Sequence, residues 1–351
     1  MRLVIAMLSH LFYFGKFCLR FIIWVGCLSG LLSATQDCRA SDRVVYSGSD
    51  GAQNGKHVVL LTGDEEYRSE EGLVQLAKIL SFQHGFRTTV LFAIDPKDGT
   101  INPGVNNSLP GAEALASADA IVLGLRFRHY SDEVMQSFVE AYLAGKPIVA
   151  VRTSTHAFKY PPDSKSKYAR YSFNSKEWPG GFGRQVLGET WVDHWGTNHQ
   201  EATRGIPVEE ARHHPLLRGV GKMFVPTGAY KVNPMSDSTI LVRGQVLAGT
   251  TPGALPLPEK NDPMQPVAWS RLHRNEAGKP NRVLCTTMGA ATDLLDENLR
   301  RLLVNGVYWG LDMEVPQRAE VRIIGNYQPT DYGFKAFRKG VKPSDLAMSL
   351  E

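Results

Sequence analysis

The chain has 351 residues, 43% hydrophobic, 21% charged and 9% aromatic, a globular composition that excludes disorder, a collagen repeat and a low-complexity scaffold. Lys and Arg number 39 against 35 Asp and Glu, but the first 40 residues hold Arg2, Lys16, Arg20 and Arg39 against Asp37 alone. The rest of the chain is close to neutral, so nucleic acid is not an expected partner.

Residues 21–36 carry no charge and follow Lys16 and Arg20. That run is short of the roughly 20 residues that span a bilayer and suits the core of a signal peptide. Cys38-Arg39-Ala40 puts small residues at both positions a signal peptidase reads, and Ala34 offers a second cleavage site. The expectation is export, periplasmic or secreted, with residues 1–40 removed after Ala40. An uncleaved anchor is the alternative, because residues 3–15 are also apolar and lengthen a tilted span. The membrane is therefore expected as a partner only through a retained leader. Lipidation at Cys27 is disfavoured by the poor lipobox Trp24-Val25-Gly26. Three of the four cysteines lie in this leader, so a mature chain keeps only Cys285, with no internal disulfide. Cys285 sits in an apolar run and reads as a small buried hydrophobe of a strand.

Residues 41–56 are polar and rich in Gly and Ser, and read as a tether. An α/β domain is expected over 57–312. Its first strand, 57–62, is a nearly continuous apolar run of the kind buried on both faces of a parallel sheet. Leu73, Leu76, Ala77 and Leu80 then repeat at helical spacing. Strands follow at 88–94 and 120–125. Ser131 is the N-cap of a helix whose buried face is Met135, Phe138, Val139 and Tyr142, ended by Gly145 before a strand at 147–151. This alternation predicts an α/β fold, a doubly wound and mostly parallel sheet of the flavodoxin-like kind. Residues 153–235 break the pattern and read as a long loop-rich insertion. Strands resume at 238–243, 266–270 and 282–287, and a helix runs over 296–310. Tyr327, Tyr332, Phe334 and Phe337 predict that the tail, 313–351, packs back on the domain.

In an open parallel sheet, ligands bind beyond the carboxyl ends of the strands. The segments there are Asp64 to Arg68, Arg126 to Tyr130, Arg152 to His156 and Met288 to Asp293. Asp64, Glu65 and Glu66 are carboxylates on a tight strand–helix loop. They suit ligand work or a plain acidic surface, whereas Glu70 and Glu71 suit a helix dipole. Arg126, Arg128 and Arg152 suit an oxyanion or sugar hydroxyls, or pairing with those carboxylates. His156 is either a satisfied structural histidine or a proton carrier. Residues 188–199 gather Trp191, Trp195, His194 and His199 with two acids, a density suited to stacking on sugar rings and bonding hydroxyls. The alternative is a loop stapled by its own aromatics. A metal site from His194, His199 and His213 or His214 matches no strong ligand spacing, and neither metal nor cofactor is assigned. Gly181, Gly183 and Gly188 faintly suggest a phosphate loop, without the strand–helix context one needs. No Gly-x-Ser-x-Gly or Gly-x-Cys-x-Gly elbow follows any strand.

Four stretches carry a resemblance to a known family: 145–151 (Gly-Lys-Pro-Ile-Val-Ala-Val), 214–219 (His-Pro-Leu-Leu-Arg-Gly), 266–271 (Pro-Val-Ala-Trp-Ser-Arg) and 282–289, closed by 300–309. In this order the chain resembles the ThuA-like (trehalose utilisation) family, whose fold is similar to class I glutamine amidotransferases. The resemblance covers about residues 57–312 and implies sugar metabolism. It also marks departures. The amidotransferase elbow would put its Cys where this chain has Arg152, so glutaminase activity is not expected. Many members carry a Gly-His-Asp where this chain reads Gly289-Ala290-Ala291. The expected function is action on a small-molecule carbohydrate or sugar derivative. Glu65 or Glu66 with His156 or His194 would transfer protons. Asp64, Tyr67, Arg126, Arg128, Arg152, Trp191, Trp195 and His199 would bind the substrate. The alternatives are a non-catalytic sugar-binding or accessory protein and a metal-dependent hydrolase.

Overall fold

The computed structural model describes residues 42–48 and 54–348. The expected leader lies outside the described residues, and no helix among them is long and apolar enough to cross a membrane. Five parallel strands form the core of one ten-stranded sheet: β2 (His57–Gly63), β3 (Arg87–Leu91), β4 (Ala120–Leu125), β5 (Ile148–Val151) and β12 (Pro280–Thr286), in the order β3-β2-β4-β5-β12. Every residue of β2, β4 and β5 is buried, as their unbroken apolar runs require.

Helices pack on both faces. α1 (Ser69–His84) and α3 (Glu297–Gly310) cover the face that carries Val58, Leu60, Val149 and Leu284. α2 (Asp132–Leu143) covers the face that carries Val59, Leu61, Ile121 and Ala150, and buries Met135, Phe138, Val139 and Tyr142 there. The Ser131 side chain accepts from the Val134 amide at 3.4 Å, the cap expected of it. Cys285 is buried in β12.

The α/β fold around a parallel core is as expected, and an antiparallel half extends the sheet through β11 (Gln265–Arg274), β10 (Thr239–Val246), β7 (Thr203–Pro207) and β8 (Met223–Val225). Two other expectations need correction: the loop-rich insertion contributes two strands to the sheet, and its remainder includes a two-stranded ribbon of β6 (Asp193–His194) and β9 (Tyr230–Lys231). The tether reading fails over residues 43–46, which form β1 (Arg43–Tyr46), antiparallel to β3 at the sheet edge. Val44 and Tyr46 alternate inward on this edge, and two buried side chains in a polar stretch are too few to announce a strand.

Residues 313–348 lie over the α1 and α3 side. Arg300 Nε and Arg301 Nε donate to the Val321 and Ala319 carbonyls at 2.7 and 3.1 Å, and the Tyr46 hydroxyl donates to the Leu346 carbonyl at 2.7 Å.

Candidate functional site

The loop from β2 to α1 is shaped by Asp64. Its Oδ1 accepts from the Glu66 and Tyr67 amides at 2.9 and 3.1 Å, and its Oδ2 accepts from Thr153 Oγ1 at 2.6 Å. At 1% exposure this carboxylate is a loop-forming group, placed under the site and not at its surface. Glu65 is likewise engaged: Arg128 Nη2 donates to one oxygen at 2.7 Å and Arg126 Nη1 donates to the other. Arg128 is buried and also donates to the Arg126 and Pro103 carbonyls. Asp64, Glu65 and Arg128 therefore brace the loops. Glu66 is more buried than Glu65, with Oε2 3.4 Å from Arg126 Nε. Burial pushes its carboxyl above the ordinary glutamate range, against the pull of Arg126.

Arg152 follows β5 directly, and its φ of 48° puts a non-glycine residue in the left-handed region, the sharp strand-to-helix turn of an elbow. Its side chain runs inward. Nη1 donates to the Gly228 and Thr287 carbonyls at 2.9 and 2.7 Å, and the guanidinium lies 4.2 Å from the Tyr67 ring centre and 4.3 Å from that of Tyr230. The group is 2% exposed and stays charged. It is thus a buried group around which these loops are organised, covered by the two tyrosines. After β12, Asp293 Oδ2 accepts from the Gly289 and Ala290 amides and from Thr227 Oγ1, which closes that loop beneath Arg152.

His156 is buried among Phe127, Trp191, Phe173 and Tyr230, with ring centres 5.0 to 6.3 Å away. Burial, with Arg126 and Arg152 nearby, holds its pKa well below the ordinary histidine value, so it is neutral. Its environment is that of a packed core histidine. His194 is the open one: it sits on β6 with its ring 5.2 Å from Tyr230 and 6.0 Å from Trp191. The surrounding protein, and then Arg152, lower its pKa. Trp191 is half-buried and touches both histidines.

The rest of the Trp and His loop divides. Trp195 turns away, donating its indole N–H to the Lys260 carbonyl at 2.8 Å. His199 stacks on Tyr332 with ring centres 4.2 Å apart. His214 caps a turn, accepting from the Leu216 amide, and lies against Trp309. Among the described residues no three His, Cys, Asp or Glu side chains are grouped to hold a metal. Gly181 and Gly183 are packing glycines, not a phosphate loop: a Cβ on Gly183 would lie 1.9 Å from the Thr155 carbonyl oxygen.

Residues outside the sequence expectations complete the site. Asn198 Nδ2 donates to the Tyr67 hydroxyl at 2.7 Å, and its Oδ1 accepts from the Gly228 amide at 3.1 Å. Tyr230 bridges Arg152 to both histidines. From the tail, Tyr332 stacks on Tyr67, and Phe334, 59% exposed, lies 5.0 Å from the Arg126 guanidinium, with Phe127 4.5 Å from it as well. The tail aromatics were the one available signal, since three of them fall within six residues. Four non-glycine residues with left-handed backbone cluster here: Arg68, Phe127, Arg152 and His199. Strain held in this way gathers where loops are built for a task and not for stability.

No protein-family model matches the chain, and no curated protein does. Solved structures are similar to it in fold. A ThuA-like protein from Parabacteroides merdae is 15% identical, with a TM-score of 0.48 over 84% of this chain and 99% of that one. One from Bacteroides uniformis is 13% identical, with a TM-score of 0.45 over 74% and 92%. A glutamine amidotransferase from Thermotoga maritima is 10% identical, with a TM-score of 0.33 over 73% and 98%.

Proposed function

We propose that the strand-end site takes a carbohydrate or sugar derivative, that Glu66 and His194 move protons on it, and that the chain does this after export. The observation that carries the reading is the company these two groups keep. Glu66, Arg126, Trp191 and His194 surround the buried Arg152–Tyr67–Tyr230 core at the carboxyl ends of β2, β4 and β5. Burial raises the Glu66 carboxyl and lowers the His194 imidazole, so each is drawn toward its neutral form, the condition under which an acid and a base can exchange roles near neutrality. Trp191 offers a face for a sugar ring, and Arg126 offers a donor beside Glu66.

A thermal-shift panel of disaccharides, keto-sugars and sugar acids identifies the ligand, since saturation at 100 times Kd adds about 2.7 kcal/mol. With that ligand as substrate, Glu66→Gln and His194→Ala each lower kcat by about 10²–10³-fold and change binding by less than about tenfold. Turnover unchanged in both variants would refute the assigned roles. Arg152 favours a second reading, a sugar-binding protein without turnover, because a locked guanidinium occupies the elbow where a nucleophile would stand. Selective binding with no product formed by the parent chain decides for that reading. Among the described residues no exposed thiol is placed for glutamine hydrolysis, as Cys285 is buried within β12.

A further inference from the structure

The tail crosses the strand-end site as a strap that is tied at both ends and loose between them. On one side, Tyr332 stacks on Tyr67 and His199, and the Gly333 amide donates to the Glu66 carbonyl at 2.7 Å. On the other, the Val341 carbonyl accepts from the Ile101 amide at 2.8 Å. Between these ties, the backbone amides of residues 334–340 reach no acceptor with hydrogen-bond geometry among the described residues. Gly333 and Gly340 bound the loose stretch, both with positive φ (144° and 79°), and a Cβ on either would meet nothing within 4 Å. Neither glycine is there for close packing, and each lets the chain turn. Arg338 ties the middle of the strap to the Gln328 carbonyl and lies 3.7 Å from Glu71, but it is a half-exposed side chain whose ion pair is worth little.

What the loose stretch carries is an aromatic ring over a site residue. Phe334 stays mostly exposed, yet its ring centre is 5.0 Å from the Arg126 guanidinium, whose other ring neighbour, Phe127, belongs to the body of the domain. We propose that residues 334–339 are a gate on the strand-end site, with Phe334 as the latch that rests on Arg126. The proposal rests on the reading of the strand ends as a ligand site, since Arg126 with its neighbour Glu66 is what the gate covers. A cation–π contact at an exposed position favours the contact by about two- to fivefold. The gate is therefore closed most of the time and opens often, and a ligand enters when Phe334 swings off Arg126.

The test uses the free full-length chain and phenylglyoxal, a reagent for accessible guanidiniums, with the rate at Arg126 read by peptide mapping. Phe334→Ala should speed modification of Arg126 about three- to sixfold, and Phe334→Trp, which keeps an aromatic face, should match the parent. The rate at Arg87, an exposed arginine that begins β3 at the opposite end of the sheet, should stay constant. Hydrogen exchange of the parent should show the amides of 335–339 within about tenfold of unstructured-peptide rates, while the Gly333 amide is slow. An unchanged Arg126 rate in Phe334→Ala, or a Trp variant as fast as the Ala variant, would remove the latch. Slow exchange through 335–339 would make the strap a fixed cover and overturn the gate. No sugar enters this test, so the gate stands or falls apart from the sugar panel and the Glu66 and His194 variants.

Discussion

Arg152 and Glu70 show two ways of burying a charge in this protein. Arg152 gives Nη1 to two carbonyls and lies against two aromatic rings, so its desolvation is offset by hydrogen bonds and by the ring quadrupoles. Glu70 accepts no hydrogen bond and has only the Arg68 guanidinium 3.6 Å away, so burial prevails and it holds its proton. The sign of the consequence follows from linkage. The folded chain binds the Glu70 proton more tightly than the unfolded chain, so this residue's share of stability is full below pH 4.5 and is lost as pH rises through about 8. Glutamine keeps the shape and never ionises. Relative to the parent, Glu70→Gln should therefore gain roughly 2–4 kcal/mol between pH 5 and pH 9, measured by urea unfolding of both proteins at each pH. A difference that stays flat across that range would show that Glu70 is solvated or paired in the folded chain.

Among the elements, α3 is the one whose start does more than begin a helix. Asp296 Oδ1 accepts from the Leu299 amide at 2.9 Å as an N-cap, and Oδ2 accepts from the Phe224 amide on β8 at 2.9 Å. One carboxylate thus caps the helix and ties the outermost antiparallel strand to it. Asp296→Ala should cost about 2 kcal/mol, more than the ~1 kcal/mol of a cap alone, with Asp296→Asn recovering about half; urea midpoints of the three proteins measure this. An Ala variant within 0.5 kcal/mol of the parent would mean that β8 is held by its pairing with β7 alone. The same contrast between local and distant partners explains which elements could be read from the chain. β2, β4 and β5 are unbroken apolar runs and α2 has its cap and its periodic face, so each carries its own signal. β7 and β8 are short, β7 contains Gly205 and Pro207, and they are strands because β7 pairs with β10 and β8 in turn with β7. At the site the strand-end rule found Glu66, Arg126 and Arg152. It could not show that Asn198, Tyr230 and Tyr332 arrive from residues 46 to 180 positions further on, nor that Trp195 turns toward Lys260.

At the scale of the whole molecule, the segment after α3 is part of the domain's closure. Val315, Ala319, Val321 and Tyr332 are buried, and four guanidiniums reach backbone carbonyls of this segment: Arg68 to Gly333, Arg218 to Val315, Arg300 to Val321 and Arg301 to Ala319. Removing residues 313–351 uncovers apolar surface and takes an acceptor from each of these cations. Each lost charge-assisted bond is worth about 1.5–3 kcal/mol, and four buried side chains add to that sum. The truncated chain should therefore lose at least ~5 kcal/mol, which for a domain of this size is a large part of its stability. Tyr332 also stacks on both Tyr67 and His199, and Phe334 covers Arg126, so the same cut opens the strand-end site from above. Limited proteolysis of the parent and the truncated chain, followed by mass spectrometry, checks both effects at once. The expected result is rapid new cleavage in the β2–α1 loop and around residues 195–200, the two segments that Tyr332 joins. If the truncated chain instead resists protease as the parent does and unfolds at the same urea concentration, the tail is an accessory layer, and Arg68, Arg218, Arg300 and Arg301 find water or other carbonyls in its place.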